Sequence, residues 1–291
     1  FLKRYNLGSV NNVLLVGARY YQGLNYSKQG LGTTGKDADF DFVNPSEYIT
    51  YDYRFPNQNT ALFLENIFYL TDKLSITPGI RFEYIKTVAD GYYGSIYRDL
   101  AGNILDITRT DEYLKLPRNL IIGGIGISYK VLPVIELYGN ISQNFRSFTF
   151  TDMRITNPSY TIDPNLSDET GYSIDLGIRS DQTSLYSYDL SLFYLNYNNR
   201  IGETQYTDEN NRVLRSRGNI GQAVIQGAET YAEVDLLKLL RPTQKNWSGV
   251  FFNNVAFIYS NYTESELPVT GNSVEFAPAV NLKNGIRVSY K

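Results

Sequence analysis

The sequence predicts an all-β protein, an antiparallel transmembrane β-barrel portion of about ten strands. Apolar and polar residues alternate with period two along many segments, as they do where the two faces of a strand meet different surroundings. Short turns join these segments at one end, and long polar connections join them at the other. Outer-membrane barrels combine short periplasmic turns with long extracellular loops, so this asymmetry predicts a bacterial outer-membrane protein.

The alternation is clearest in 74–85, where Ile80 and Phe82 share one parity and Arg81 and Glu83 share the other. One face is therefore expected to meet lipid and the other water. Each such segment has about 10–13 residues, enough for a tilted strand to cross a bilayer. Three of the segments, 60–70, 186–198 and 249–262, are apolar on both faces. The predicted strands are 13–22, 60–70, 74–85, 120–129, 135–146, 172–179, 186–198, 223–235, 249–262 and 280–289.

The predicted connections differ in length between the two ends of the sheet. Tight turns are predicted at Thr71–Lys73, Val131–Pro133 and Ser180–Thr183. Connections as long as those at the other end are unusual in compact domains unless they are functional or disordered. They carry Tyr, Arg and Asp rather than Ser/Gly repeats, which favours structured loops that face a ligand. These loops are predicted near 26–57, 87–117, 147–169, 199–221 and 261–277.

Composition argues against several classes of function. The 291 residues include no Cys and no His, which argues against zinc sites, iron–sulfur clusters, disulfide scaffolds and His-based catalysis. A net charge of −3 offers no basic face for nucleic acid. No stretch approaches the ~20 apolar residues of a membrane helix. We therefore predict a protein that is not an enzyme and needs no cofactor.

The 26 Tyr residues are open to two interpretations. Tyr suits the aromatic girdles at membrane interfaces, because its ring is apolar and its hydroxyl is wet. It is also a good strand former, and content alone does not separate these interpretations. The chain begins in what looks like the end of a strand and lacks a plausible terminal strand at Lys291. We therefore expect an internal piece of a larger protein.

An ordered series of motifs resembles the barrel of TonB-dependent outer-membrane receptors. The motifs between Glu65 and Arg81 resemble a strand, a turn and a second strand. Leu137–Arg146 resembles a strand that leads into an extracellular loop. Those between Asn165 and Arg179 resemble a loop that leads into a strand, and the later motifs resemble the strands that follow. The series covers nearly the whole chain, and its first two members are most similar to ferric citrate receptors. The motifs are Gly17–Tyr21, Phe40–Phe42, Glu65–Ile67, Leu70–Lys73, Leu74–Arg81, Leu137–Arg146, Asn165–Thr170, Asp175–Arg179, Leu190–Tyr194, Asn198–Ile201, Gly218–Asn219 and Gly227–Glu229.

This resemblance implies a 22-stranded barrel closed by a plug, which imports a ferric chelate with energy supplied through TonB. Residues 1–291 are expected to be a partial barrel domain that lacks the plug, the TonB box and the terminal strands, and so cannot transport alone. The implied partners are the chelate, outer-membrane lipid and the TonB complex. Two alternatives stay open: an oligosaccharide or nutrient importer of the same architecture, and a soluble secreted carbohydrate-binding β-protein.

Arginines are the first candidates for binding an anionic chelate, because the guanidinium group donates several hydrogen bonds in a fixed geometry. The arginines considered lie in predicted loops or at the alternate strand positions that are predicted to face the barrel lumen. The alternative is that each pairs with an acid such as Glu83, Asp99 or Asp208. The candidates are Arg19, Arg54, Arg98, Arg146, Arg212, Arg215 and Arg217.

Two weaker candidates are an acidic triplet and a set of tyrosines. Asp37, Asp39 and Asp41 alternate along the chain in the manner of oxygen ligands for Ca²⁺, but no Gly or terminal Glu follows as in an EF-hand. A solvated loop face is the alternative. Tyrosines of the predicted loops are suited to stack on a planar or sugar-like ligand, or to anchor and pack the loops. They are Tyr48, Tyr51, Tyr53, Tyr92, Tyr93 and Tyr97.

Overall fold

The computed structural model describes residues 1–8, 10–30, 32–33, 35, 41–43, 50–156, 159–180, 185–243, 246–265 and 268–290. This part of the chain contains twelve strands and a single short helix. The elements are β1 Leu2–Leu7, β2 Val10–Gln29, β3 Tyr51–Tyr69, β4 Leu74–Arg98, β5 Ile104–Leu132, β6 Ile135–Arg146, β7 Tyr160–Ile162, β8 Glu169–Ser180, β9 Tyr186–Thr207, β10 Val213–Asp235, α1 Leu236–Leu240, β11 Trp247–Glu264 and β12 Val280–Tyr290.

All the strands belong to one sheet, in which consecutive neighbours run antiparallel. The order is β1-β2-β3-β4-β5-β6-β8-β9-β10-β11-β12, and the short β7 pairs in parallel with β10 outside this path. All ten predicted strands are present, and β1 and β7 are additional. The predicted all-β antiparallel fold class is therefore confirmed.

Several strands are much longer than the sequence predicts. β4 has 25 residues and β5 has 29, whereas a tilted strand needs only ~9–11 to cross a bilayer. The region predicted as the loop 87–117 is a hairpin whose strands continue to a tip at 99–103, and 199–221 likewise continues to a tip at 208–212. The outer face of these extensions no longer carries the apolar band, so the outward apolar alternation that marked the strands ends while the backbone pairing continues.

One face of the sheet carries an apolar band, and we call it the outer face and the opposite one the inner face. Leu62 of β3, Ile80 of β4 and Ile121 of β5 lie in the band and are each more than half exposed. On β4 the band runs from Leu74 to Tyr84, which at ~3.4 Å per residue and a tilt of ~40° is about 26 Å tall. This matches the ~25 Å apolar belt of an outer-membrane barrel.

Aromatic side chains border the outer face at the end with the short turns. Tyr129, Tyr186, Trp247 and Tyr290 are all exposed there, and the rings of the last two lie 4.9 Å apart between centroids. Amphipathic rings at this level form the interfacial girdle of membrane barrels. This part of the Tyr content therefore agrees with the girdle interpretation. In the described part of the chain, no helix is long and apolar enough to cross a membrane.

The β3–β4 connection is a short turn, as the sequence predicts, whereas the β5–β6 turn lies at 133–134, because β5 continues to Leu132 instead of ending before Val131. In the β3–β4 turn, the Thr71 hydroxyl accepts hydrogen bonds from the backbone N–H groups of Lys73 and Leu74 at 3.2 and 3.0 Å. The β10–β11 connection contains the five-residue α1, which no helical periodicity had predicted. Asp235 caps it by accepting from the backbone N–H of Lys238 at 3.1 Å. Residues 181–184 of the third predicted turn lie outside the described residues.

Two clusters of buried apolar side chains lie on the inner face, beneath connections that fold back over it. One cluster lies under the connection 147–168, and a second, around Tyr262 and Val274, lies under the connection 265–279. A single-layer sheet has no second layer to bury its apolar side chains. These two connections therefore supply that layer on the inner side.

If the outer face inserts into a membrane, a charged substitution should cost much more stability on that face than at the adjacent inner-face residue of β9. Leu190 lies on the outer face between Tyr186 and Tyr194, and Ser191 lies beside Asp189 on the inner face. Leu190→Lys is expected to cost ~2–4 kcal/mol, because a Lys facing mid-bilayer lipid loses its hydration. Ser191→Lys is expected to cost less than ~1 kcal/mol. Denaturant unfolding in lipid vesicles measures both, and equal costs would contradict the assignment of the faces.

Candidate ligand-binding site

The connection 147–168, between β6 and β8, folds across the inner face of the strand extensions. Its Met153 is buried in one cluster with Tyr53 and Phe55 of β3. The ring of Phe150 stacks on Phe55, with centroids 4.9 Å apart. Burying these rings stabilises the connection as a second layer, because each aromatic side chain removes a large apolar area from water. We call this segment the inner loop.

Asp152 is the ionic centre of the inner loop, and none of its surface is exposed. Arg217 of β10 donates to this carboxylate from Nε and Nη2 at 2.9 and 2.6 Å. Arg146 at the end of β6 donates from Nη2 at 3.0 Å. The backbone N–H and the hydroxyl of Thr149 each donate at 2.8 Å. A buried carboxylate is tolerated only with such partners, so these contacts tie the loop to two strands.

The same contacts determine the protonation of Asp152. Burial acts to raise the pKa of its carboxyl, but the hydrogen bonds from Thr149 and Arg217 and the charge of Arg146 outweigh burial and hold it below the usual 3.8. A lowered pKa means that the ionised form stabilises the folded loop at neutral pH. That contribution is lost as the pH falls through the lowered pKa.

A second ion pair holds the other end of the inner loop. Arg118 of β5 donates from Nη1 to Asp168 at 3.3 Å and from Nη2 to the hydroxyl of Thr87 at 2.8 Å. Its guanidinium also lies 4.9 Å from the centroid of the Phe148 ring. Burial raises the pKa of Asp168, and the charge of Arg118 opposes that shift only in part. The loop is therefore fastened at both ends by charges that are largely removed from water.

Three of the predicted arginines come together beside the inner loop. Arg146 and Arg217 share Asp152, and Glu203 of β9 accepts from Arg215 and, at 3.4 Å, from Arg217. All three are therefore ion-paired with acids, the alternative that the sequence left open. Their role in ligand binding remains a prediction.

Arg54 and Arg19 lie on opposite faces of the sheet. Arg54 belongs to β3 rather than to a loop, and it pairs with Asp90 at 2.6 Å on the outer face. It shares the parity of the outward-facing Leu62 on the same strand. Arg19 lies on the inner face of β2, opposite the buried Ala61. Of these two arginines, only Arg19 faces the inner side, where a ligand-binding residue is expected.

Arg98 and Arg212 lie at the tips of two hairpins. Arg98 is the last residue of β4 rather than a loop residue, and it donates to the backbone carbonyl of Gly102 at 2.7 Å. Arg212 pairs with Asp208 at 2.6 Å in the β9–β10 turn. The sequence predicted Arg98 in a loop because the strand extensions lack the alternating outward apolar residues that marked the strands.

Two further inner-face arginines were missed by the sequence. The guanidinium of Arg154 in the inner loop lies 4.8 Å from the ring centroid of Tyr51 and donates to the hydroxyl of Ser27. Arg200 of β9 lies 5.5 Å from the ring centroid of Tyr197. Neither has a carboxylate partner among the described residues, and the Nε of each is buried without an acceptor. No periodicity or motif marks either residue, because their positions depend on how the loop and a bulge in β9 fold.

The acidic triplet is only partly described. Asp37 and Asp39 lie outside the described residues, whereas Asp41 lies within them. Among the described residues there is no group of three or more acidic side chains placed to hold a metal ion. The Ca²⁺ site remains a prediction.

The predicted loop tyrosines are divided between the two faces. Tyr51 and Tyr53 are buried under the inner loop, and Tyr93 packs against the same cluster. On the outer face, Tyr92 lies under the guanidinium of Arg109, 3.8 Å from its ring centroid. Tyr97 is half exposed near a hairpin tip. Tyr48 lies outside the described residues. Packing therefore occupies the three tyrosines of the inner face.

A family model and a curated relative both relate this chain to TonB-dependent receptors. A family model described as TonB dependent receptor-like, beta-barrel matches residues 2–290. An uncharacterized TonB-dependent receptor of Haemophilus influenzae is 27% identical over 172 residues, which is 57% of this chain and 44% of the relative. The chain therefore spans less than half the length of that relative.

Solved structures share the fold at low sequence identity. The ferric citrate transporter FecA in its unliganded form matches with a TM-score of 0.68 and 20% identity, over 100% of this chain and 38% of its own. The ferric-catecholate import receptor Fiu from E. coli K12 matches with a TM-score of 0.66 and 11% identity, over 97% of this chain and 40% of its own. At these identities the likeness establishes the fold, in which the twelve-stranded sheet forms part of a barrel wall.

The role of Asp152 is testable by removing its charge. Asp152→Ala leaves Arg146 and Arg217 without their shared acceptor, a change that costs ~3–5 kcal/mol where the charges stay buried. We expect the loop to open instead, so that amide hydrogen exchange in 148–156 accelerates at least about tenfold. Asp208→Ala, which breaks the exposed pair at a hairpin tip, is the control and should leave this segment unchanged. Equal exchange in both variants would show that the loop is held without Asp152.

Proposed function

The chain belongs to the TonB-dependent receptor family, and we propose that it forms part of the wall of a bacterial outer-membrane importer of ferric chelates. The inner face beneath the extracellular extensions is the proposed binding surface. It combines buried aromatic side chains with several arginines, and it carries the inner loop. Several neighbours of the same fold are receptors or transporters of ferric citrate, ferric catecholates and ferripyoverdine, which supports this ligand class.

The observation that carries the proposal is the incomplete hydrogen bonding of one inner-face arginine. Arginines on both faces are ion-paired, as in the pairs Arg54–Asp90 and Arg217–Asp152. On the inner face, Arg154 has no carboxylate partner among the described residues and retains a buried Nε without an acceptor. A guanidinium of this kind is suited to donate charge-assisted hydrogen bonds to the oxygen-rich surface of a ferric chelate.

Arg154 is also well placed to report occupancy of the site. It lies on the inner loop next to Met153, and its guanidinium bridges to Ser27 of β2 and to the Tyr51 ring of β3. A chelate that binds Arg154 therefore contacts the loop and the wall at once. We propose that this contact captures the ligand, and that a plug domain and the TonB complex then drive its passage, as the family resemblance implies.

An oligosaccharide importer of the same architecture is less well supported. That alternative rested on exposed loop tyrosines able to stack on sugar rings. Tyr51 and Tyr53 are at most 8% exposed because the inner loop covers them, and they are not available for stacking. The ferric chelate is therefore the better supported ligand class.

Arg154→Gln tests the proposal, because it removes the charge and the guanidinium fork but keeps most of the side-chain stem. The protein produced from its own gene is purified from membranes in detergent and titrated with ferric citrate and with a ferric trihydroxamate. Intrinsic fluorescence reports binding. Loss of a charged hydrogen bond is expected to weaken binding of the responding chelate about tenfold or more, since such bonds contribute ~1.5–3 kcal/mol.

Arg54→Gln is the matched control, because it makes the same change on the outer face and should leave the affinity unaltered. Maltohexaose serves as the neutral oligosaccharide. Saturable quenching by maltohexaose with no response to either ferric chelate would overturn the ligand class and leave the family assignment intact.

A further inference from the structure

A crevice of about 350 Å³ lies between the inner loop and the inner face of the β5 extension. Its walls are apolar, with Leu114 and Leu116 on the strand side and Ile155 and Leu166 on the loop side. The volume is at the lower end of the ~300–1,000 Å³ typical of small-molecule pockets. It is therefore suited to one arm of a chelate rather than to the whole complex.

Glu112 is the most unusual group in this crevice. It lies in the extension of β5, nine residues beyond Ile121 of the apolar band, and its side chain is half buried. Among the described residues its one polar contact is with the Tyr53 hydroxyl, which donates to it at 3.4 Å, and no cation pairs with it. Burial raises the pKa of Glu112, opposed by the Tyr53 hydrogen bond. A half-buried carboxyl without a counter-charge is destabilising, and bound cations relieve that cost.

The other acids of the crevice strengthen the negative balance. Asp163 also lines it, and its side chain accepts only from the backbone N–H of Asn165 at 2.8 Å among the described contacts. Asp152 reaches the same space, but Arg146 and Arg217 already neutralise it. The crevice is therefore apolar along its walls and carries carboxyl groups without matching cations.

We propose that this crevice receives an aliphatic arm of the imported chelate that ends in an ammonium group, with Glu112 as the acceptor. The inference rests on the proposed function and defines its substrate class. The apolar walls bury the methylene groups of the arm, and the carboxyl supplies the counter-charge for its end. An anionic arm is repelled there, and a neutral arm leaves Glu112 without a counter-charge.

The position of Arg154 agrees with this orientation of the ligand. Its guanidinium lies over Tyr51, whose ring centroid is 6.2 Å from that of Tyr53, and the hydroxyl of Tyr53 contacts Glu112. Arg154, the proposed partner of the oxygen-rich metal centre, therefore lies on one side of the two tyrosine rings. Glu112, the proposed partner of the arm, lies on the other side. The two charges select a ligand that is negative or oxygen-rich at one end and positive at the other.

Two versions of one chelate test this inference. The probes are a linear ferric trihydroxamate with a pentylammonium arm and the same chelate with its amine acetylated. Both are titrated into the detergent-purified protein, and fluorescence quenching gives the two dissociation constants. The wild type is expected to bind the ammonium form at least about tenfold more tightly. Glu112→Gln, which keeps the shape of the side chain, is expected to remove this preference by weakening only the ammonium form.

Asp90→Asn is the matched control, because it removes an acid from the outer face of the neighbouring β4, where Asp90 pairs with Arg54. It should preserve the preference. If both chelates bind the wild type equally, or if Glu112→Gln keeps the preference, the ammonium subsite is refuted while chelate import stands. If neither these probes nor ferric citrate binds, the proposed function and the subsite fail together.

Discussion

A buried carboxylate, Asp152, anchors the inner layer of this protein to its wall. The wall is a single sheet with an exposed apolar band on one side, and it has no core of its own. The inner loop gives it one by covering Tyr53 and Phe55 of β3. That packing depends on the loop staying in place, and Asp152 holds it there through Arg146 and Arg217 on two different strands. Without these charge-assisted bonds the buried carboxylate would be too costly to keep.

The inner loop creates the candidate site as well as the core. It carries Arg154 to the inner face of β2 and β3, and it forms one wall of the crevice that contains Glu112. The charges in and beside the inner loop therefore fall into two groups. Asp152 and Asp168 are matched by arginines of the strands and serve to hold the loop. Arg154 and Glu112 have no partner of opposite charge among the described residues, and these two are proposed to meet the ligand.

The sequence predicts the strands well wherever the apolar band covers one face. In 74–85 the outward Ile80 and Phe82 alternate with Arg81 and Glu83, because the two faces meet different solvents. Above the apolar band that difference ends. Asp90 and Tyr92 of β4 face outward into water, so no apolar parity remains to distinguish a strand extension from a loop. The long connections were therefore predicted in the right order but with too few residues in the strands.

The candidate site was predictable only in part for a related reason. Arg146 lies on a strand whose parity the sequence shows, whereas Arg217 was predicted in the loop 199–221, and the structure brings the two together. Asp152, Arg154 and Glu112 acquire their surroundings only when the inner loop folds across the sheet. That folding joins residues more than sixty positions apart, as between Asp152 and Arg217, and no local pattern encodes it.

The most direct test of this account is a distance measurement between the inner loop and the wall. The chain has no Cys, so spin labels at Thr151→Cys and Asn210→Cys, both exposed positions, report the distance from the loop to the β9–β10 tip. Pulsed electron spin resonance in lipid vesicles at neutral pH is predicted to give a single narrow distance distribution without added ligand. A broad or multiple distribution would contradict the claim that Asp152 and its arginines hold the loop against the wall.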